Sequence, residues 1–223
     1  NFNSNGVGTE VVKINYHLGF PAKDPFNEDN AADPSSRALF YNIVKTPRSV
    51  MDGHGDPSGN DGLFSSWVPG FYQLRTLQLA QASININAAN NLNGSGQPDG
   101  GIKIDIDFTS EVLTGLPPNT TLHVAVLEKA VPSGSLSSSQ QAMIKSGETN
   151  FEFVLKKMLP TAAGTHYSAV IPYHGTPKKE SFVYYPEAKR LYAPGGDLAV
   201  AVFLQSETAP YEVYQVEILK TVI

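Results

Sequence analysis

The chain has 223 residues, a formal net charge of −5, 41% apolar and 17% charged residues, and no cysteine. A net acidic chain whose only basic doublets are Lys156-Lys157 and Lys178-Lys179 lacks the concentrated positive surface that nucleic acid needs. Without sulfur nucleophiles, disulfide frameworks, thiolate catalysis and cysteine-ligated zinc are excluded within these residues, and the longest apolar run, Leu198–Leu204, is strand-length, too short to span a membrane as a helix.

Residues 1–10 read as a polar lead-in. Val11, Val12, Ile14 and Tyr16 then form an apolar run between Gly8 and Gly19, which predicts a buried strand. After the acidic, proline-rich loop 19–34, Asp33-Pro34 marks a helix start, because Asp33 can accept from unpaired N–H groups and Pro34 loses no bond in the first turn. Leu39, Phe40 and Ile43 repeat at helical spacing, and Pro47 stops the helix because the residue before a proline avoids the α region. Arg48–Met51 reads as a second strand, closed by Asp52-Gly53. The stretch 52–62 is nearly pure turn chemistry. A helix is predicted over about 68–82, with Phe71, Leu74 and Leu77 on one side and Trp67 docking at its start.

From Ser83 the pattern switches to period two. Ile84 and Ile86 alternate with Asn85 and Asn87; Ile102, Ile104, Ile106 and Phe108 alternate with Lys103, Asp105 and Asp107. One face of such a strand is buried and the other wet. Further strands are predicted at 122–127 and near 151–159, 166–173, 181–185, 197–205 and 211–220. The serine-rich stretch 133–141 reads as a solvated connection. Seven or eight short strands between turn signals point to a β-sandwich.

Several words spread through the chain carry a family resemblance: I-N-Y-H at 14–17, the R-x-x-x-Y of Arg37–Tyr41 leading to T-P-R-S-V-M-D-G, V-A-V-L-E at 124–128, F-V-L-K-K-M-L-P at 153–160, and A-V-F-L-Q from Ala201 with Val213-Tyr214. In these the chain resembles exported proteins related to a twenty-eight-kilodalton outer-membrane protein of Gram-negative bacteria, often lipoproteins. The resemblance implies an α+β protein: an incomplete thioredoxin-like α/β domain over 1–82, followed by an antiparallel immunoglobulin-like β-sandwich over 83–223. It also implies that Thr46–Pro47 is the cis-proline pair which, in thioredoxin-like enzymes, offers backbone groups to a bound peptide. In such a sheet the strands at 11–16 and 48–51 flank an earlier strand, so its slot is expected to be filled by residues upstream of Asn1 or by a donated strand.

The candidate sites are few. Thr46 and Pro47 are the binding candidates, without redox chemistry because the cysteine-bearing element is not in these residues. Asp52, Asp56, Asn60 and Asp61 put oxygen ligands on a glycine-rich loop, but not in the order of a calcium loop with its terminal bidentate glutamate. The histidines His17, His54, His123, His166 and His174 form no two-histidine metal spacing, and structural roles are expected for His17 and His123. Asn119-Thr120-Thr121 matches a glycosylation sequon, although a turn explains it as well. No G-x-S-x-G elbow, phosphate-binding glycine loop or singled-out carboxylate pair is present. No cofactor is expected. The expected function is a non-catalytic exported or surface module that binds a protein or surface partner, by strand addition in one form. The alternatives are part of a thiol–disulfide oxidoreductase with cysteines upstream of Asn1, and a carbohydrate-binding sandwich in which Trp67 and tyrosines stack on sugars.

Overall fold

A computed structural model describes residues 11–54, 69–220 and 222. The helices are α1 (Pro25–Asp29), α2 (Ala32–Phe40), α3 (Pro69–Thr76) and α4 (Ser138–Gln141). The strands are β1 (Ala82–Leu92), β2 (Pro98–Ser110), β3 (Thr120–Pro132), β4 (Asn150–Leu159), β5 (Thr165–Tyr167), β6 (Lys178–Tyr184), β7 (Leu198–Ser206) and β8 (Val213–Leu219). They form two antiparallel sheets, one in the order β1-β2-β6 and the other in the order β4-β3-β7-β8, with β5 also pairing β3. The overall class is mixed α and β, dominated by antiparallel sheet.

The alternation in β2 does what its chemistry requires. Ile104, Ile106 and Phe108 are at most 1% exposed and pack, with Ile84 and Ala88 of β1, against Leu122, Val124 and Val126 of β3 and Val200, Val202 and Leu204 of β7. β7 does not alternate: all nine of its residues are buried. A strand apolar on both sides must be covered on both sides. Its second face carries Ala199, Ala201 and Phe203, which pack with Ala125, Leu127, Leu155 and Met158, and with Val12, Ile14 and Tyr16 from the start of the chain.

The residues before β1 depart from the strand–helix–strand reading. Among the described residues, Val11–Tyr16 makes one parallel bridge, Asn15 to Val154, and Arg48–Met51 makes the Met51–His54 bridge. The two segments do not pair with each other, and the described residues 11–54 form no thioredoxin-like sheet. Instead they close the outer edge of β4. Asn15 N donates to Phe153 O at 3.0 Å and Leu155 N donates to Asn15 O at 3.1 Å. Further along, Asn30 Nδ2 donates to Lys156 O at 3.0 Å, and Met158 N donates to Asp33 Oδ2 at 2.9 Å. Backbone first, then two side chains, satisfy groups that an open edge would leave exposed.

Asp33 is therefore spent on β4 rather than on capping its own helix, and α2 begins two residues earlier than Pro34, at Ala32. The apolar spacing in α2 also misleads: Leu39 is 83% exposed, and the inward residues are Asp33, Pro34, Arg37 and Ala38. The sheet offers α2 polar partners, so arginine rather than leucine is its anchor. The third helix is shorter than expected, ending at Thr76.

Candidate functional site

The expected site residues come out apart. The Thr46–Pro47 peptide is cis, as are Phe20–Pro21, Leu159–Pro160 and Ala209–Pro210. Thr46 Oγ1 donates to Phe20 O at 3.0 Å, tying two loops together, and Pro47 is exposed with no strand after it. Asp52 accepts from Arg75 Nε at 3.0 Å, while Asp56, Asn60 and Asp61 lie outside the described residues. Among the described residues no three histidine or acidic side chains gather as a metal site would need.

What the fold gathers instead are buried polar clusters, built from the words that carry the family resemblance. Arg37 is 3% exposed. Its guanidinium donates to Gln205 Oε1 at 2.7 Å and to the Tyr41 hydroxyl at 2.9 Å, and lies 3.4 Å from His123 Nε2. It also stands over the rings of Phe40 and Tyr41, at 4.7 and 4.9 Å from their centroids. Gln205 Nε2 closes the circuit by donating to the Tyr41 hydroxyl at 2.6 Å and to Tyr211 O at 2.8 Å. Burial pushes the Tyr16 hydroxyl up to about 12 against the pull of Arg37. His123 stacks on Phe203 at 4.8 Å; burial, with the Arg37 charge behind it, holds the imidazole well below its ordinary value and therefore neutral. His123 Nδ1 is buried and has no hydrogen-bond partner among the described residues.

A second cluster forms at the basic doublet Lys156-Lys157, whose two lysines differ in burial. Lys157 stays half-exposed and pairs with Asp33 at 3.2 Å, but the Lys156 side chain is 4% exposed. Its ammonium lies 3.2 Å from Glu128 Oε2 and 3.3 Å from Asp29 Oδ2, with the Tyr192 ring centroid 4.8 Å away. The other Glu128 oxygen accepts from Tyr192 N at 2.5 Å and Ala193 N at 2.7 Å. The cause is a bulge: Val126 pairs with Lys157 and Leu127 with Leu155, which leaves Lys156 without a partner and turns its side chain aside. Lysine doublets carry no periodicity that would reveal this.

Two clusters sit nearer the surface. Arg75 joins Asp52 to Glu212, which it contacts at 2.5 Å, and His54 bonds the other Glu212 oxygen. His166 Nδ1 and Thr121 Oγ1 share one oxygen of Glu207. That glutamate receives both groups, so the histidine is not placed between it and the hydroxyl as a base would be.

The outer face of β1-β2-β6 carries polar residues along its strands. Register places Asn85, Asp107 and Lys179 in one row, Asn87, Asp105 and Ser181 in the next, and Ala89, Lys103 and Val183 in a third. Ser181 Oγ and Lys103 Nζ donate to the two oxygens of Asp105 at 2.7 and 2.8 Å, and these bonds hold its carboxyl below the usual range. At the hairpin end Asn91 and the Tyr185 hydroxyl both donate to Asp99. The face is a flat array of amides, carboxylates and ammonium groups, suited to hydrogen bonding. Among its described residues Tyr185 is the one aromatic, so the aromatic row that sugar stacking calls for is missing there. Among the described residues β6 pairs with β2 alone, and its other edge is open.

No protein-family model matches the chain, and no curated protein matches it. Its fold is found in HBP35 of Porphyromonas gingivalis, with a TM-score of 0.60 and 11% identity over 88% of this chain. The chain spans 60% of the length of HBP35. A domain of the outer-membrane lipoprotein Omp28 from the same organism aligns over 65% of this chain and 91% of its own, at a TM-score of 0.39 and 14% identity. What the comparisons share with this chain is the fold of HBP35.

Proposed function

We propose that this chain is a non-catalytic, exported, surface-associated module whose contact surface is the open face and free edge of β1-β2-β6. One observation carries the reading: among the described residues the five-stranded sheet is packed on both faces and closed at β4, whereas the three-stranded sheet presents a polar face that no other element covers and an edge of β6 with no pairing partner. An open strand edge can take up an extended segment of a partner through backbone bonds. The acidic and basic groups elsewhere serve the fold. The family words and the shared fold with HBP35 support a place at the envelope of a Gram-negative cell.

The test uses the labelled chain on isolated Gram-negative envelopes. The wild type is expected to bind saturably, and a variant carrying Asn87→Arg, Asp105→Lys and Ser181→Arg to lose that binding while keeping its melting temperature. Equal retention of both, or no saturable binding, contradicts the proposal. Reduction of insulin with dithiothreitol as electron source should run at the uncatalysed rate, because no nucleophilic sulfur is present; a faster rate would refute the non-catalytic part.

A further inference from the structure

We propose that Lys156 and Asp29 are a self-crosslinking pair, joined by an amide bond between their side chains that forms with Glu128 as the proton carrier. The three groups meet from separate elements: Asp29 ends α1, Lys156 is the bulge residue of β4, and Glu128 lies on β3. The ammonium and the carboxylate to be joined are already hydrogen-bonded at 3.3 Å across 127 positions of sequence. Glu128 is completely buried, one oxygen is fixed by two backbone N–H groups, and the other faces Lys156 at 3.2 Å without accepting a directed hydrogen bond. That uncommitted oxygen is where a proton can be received and returned. The surroundings are apolar: Phe26, Val131, Phe151 and Ala193 are buried in one cluster with Tyr192 packed against it.

The step balances without any outside reagent. One proton passes from the Lys156 ammonium to Glu128 and on to an Asp29 oxygen, leaving a neutral amine beside a carboxylic acid. The nitrogen lone pair attacks Cγ of Asp29 and forms the C–N bond. Glu128 takes a second proton from the nitrogen and delivers it to the departing hydroxyl, the C–O bond breaks, and water leaves. The Tyr192 ring packs beside the reacting nitrogen, its centroid 4.8 Å from the Lys156 ammonium. Lysine and aspartate become a neutral amide, and Glu128 ends as the carboxylate it began as. The bond would pin the segment before α2 covalently to the sheet edge it already closes.

Mass spectrometry of the intact, denatured chain is the test. The expected mass is one water below that of the sequence, and digestion should yield a branched pair of peptides linked through Asp29 and Lys156. Asp52-Gly53 and Asp99-Gly100 can also lose water by cyclising, so the branched pair is the deciding species. A wild-type chain at full sequence mass, or one lacking water but without the branched pair, overturns the proposal. Glu128→Gln and Asp29→Ala should each return the full sequence mass. Crosslinking in folded Glu128→Gln as complete as in the wild type removes Glu128 from the role assigned to it.

Discussion

Arg37 and Gln205 stand 168 positions apart in sequence and 2.7 Å apart in space, and their hydrogen bond ties α2 to β7 beside the bonds that hold residues 15–33 to β4. Around it lie Tyr41, His123 and Phe203, so a helix with an exposed leucine is held by a guanidinium set among rings and amides. Gln205 Oε1 on the sheet and the Tyr41 hydroxyl accept from the Arg37 guanidinium, which fixes the helix against β7 at a defined place.

Strand β2 gives the simplest prediction. Ile104→Ala should destabilise the protein by about 2–5 kcal/mol, because the side chain is wholly buried between the sheets. Lys103→Ala, on the open face, should change stability by no more than about 0.5 kcal/mol, its pair with Asp105 being exposed. Urea denaturation of the two variants checks this, and equal small effects would mean that β2 is not packed as described.

His123 gives stability a pH dependence of known sign. Its folded-state value is depressed, so the folded state binds fewer protons there than the unfolded chain does. The contribution is complete above the unfolded value of about 6.5 and shrinks as pH falls below it. Thermal melts between pH 7.5 and 5.5 should show the wild-type melting temperature falling more steeply than that of His123→Leu. Parallel slopes would show that the imidazole is not held neutral.

Arg75 fastens α3 to the turn at Asp52 and to Glu212 just before β8. The hydrogen bonds from Arg75 and His54 outweigh burial and lower the Glu212 carboxyl. Arg75→Ala should lower stability by about 1 kcal/mol, with the loss reduced at 1 M salt because the pair is partly solvated. A loss independent of salt would point to packing rather than charge.

How far the sequence could be read depended on whether local pattern or distant partners set each element. The alternation at Ile102–Phe108 declared a half-buried strand, and β2 is that strand. The apolar run at 198–204 was legible as a strand, yet nothing local could say that it is covered on both faces, with Val12, Ile14 and Tyr16 on the second. Val11–Tyr16 has the composition of a strand but lies against the bulged edge of β4, where Phe153 takes a positive φ and regular pairing stops. Asp33 looked like a helix cap because its partner, the Met158 amide, is 125 positions away. The buried charges were invisible for the same reason: Glu128 and Lys156 become a pair only through the β3–β4 register and its bulge. The polar face of β1-β2-β6 was the most legible part of the candidate site, since Asn85, Asn87, Asp105 and Asp107 follow directly from period two.

The attachment of residues 11–41 to the five-stranded sheet through Arg37 is the central claim, and hydrogen–deuterium exchange on Arg37→Leu tests it most directly. The substitution leaves Gln205 and His123 without their charged partner, at a cost of about 1–3 kcal/mol. Amides in 11–41 and along β4 should then exchange roughly tenfold faster or more, while those of β1, β2 and β6 keep their wild-type protection. Unchanged exchange in 11–41, or equal loss of protection across both sheets, would contradict the account.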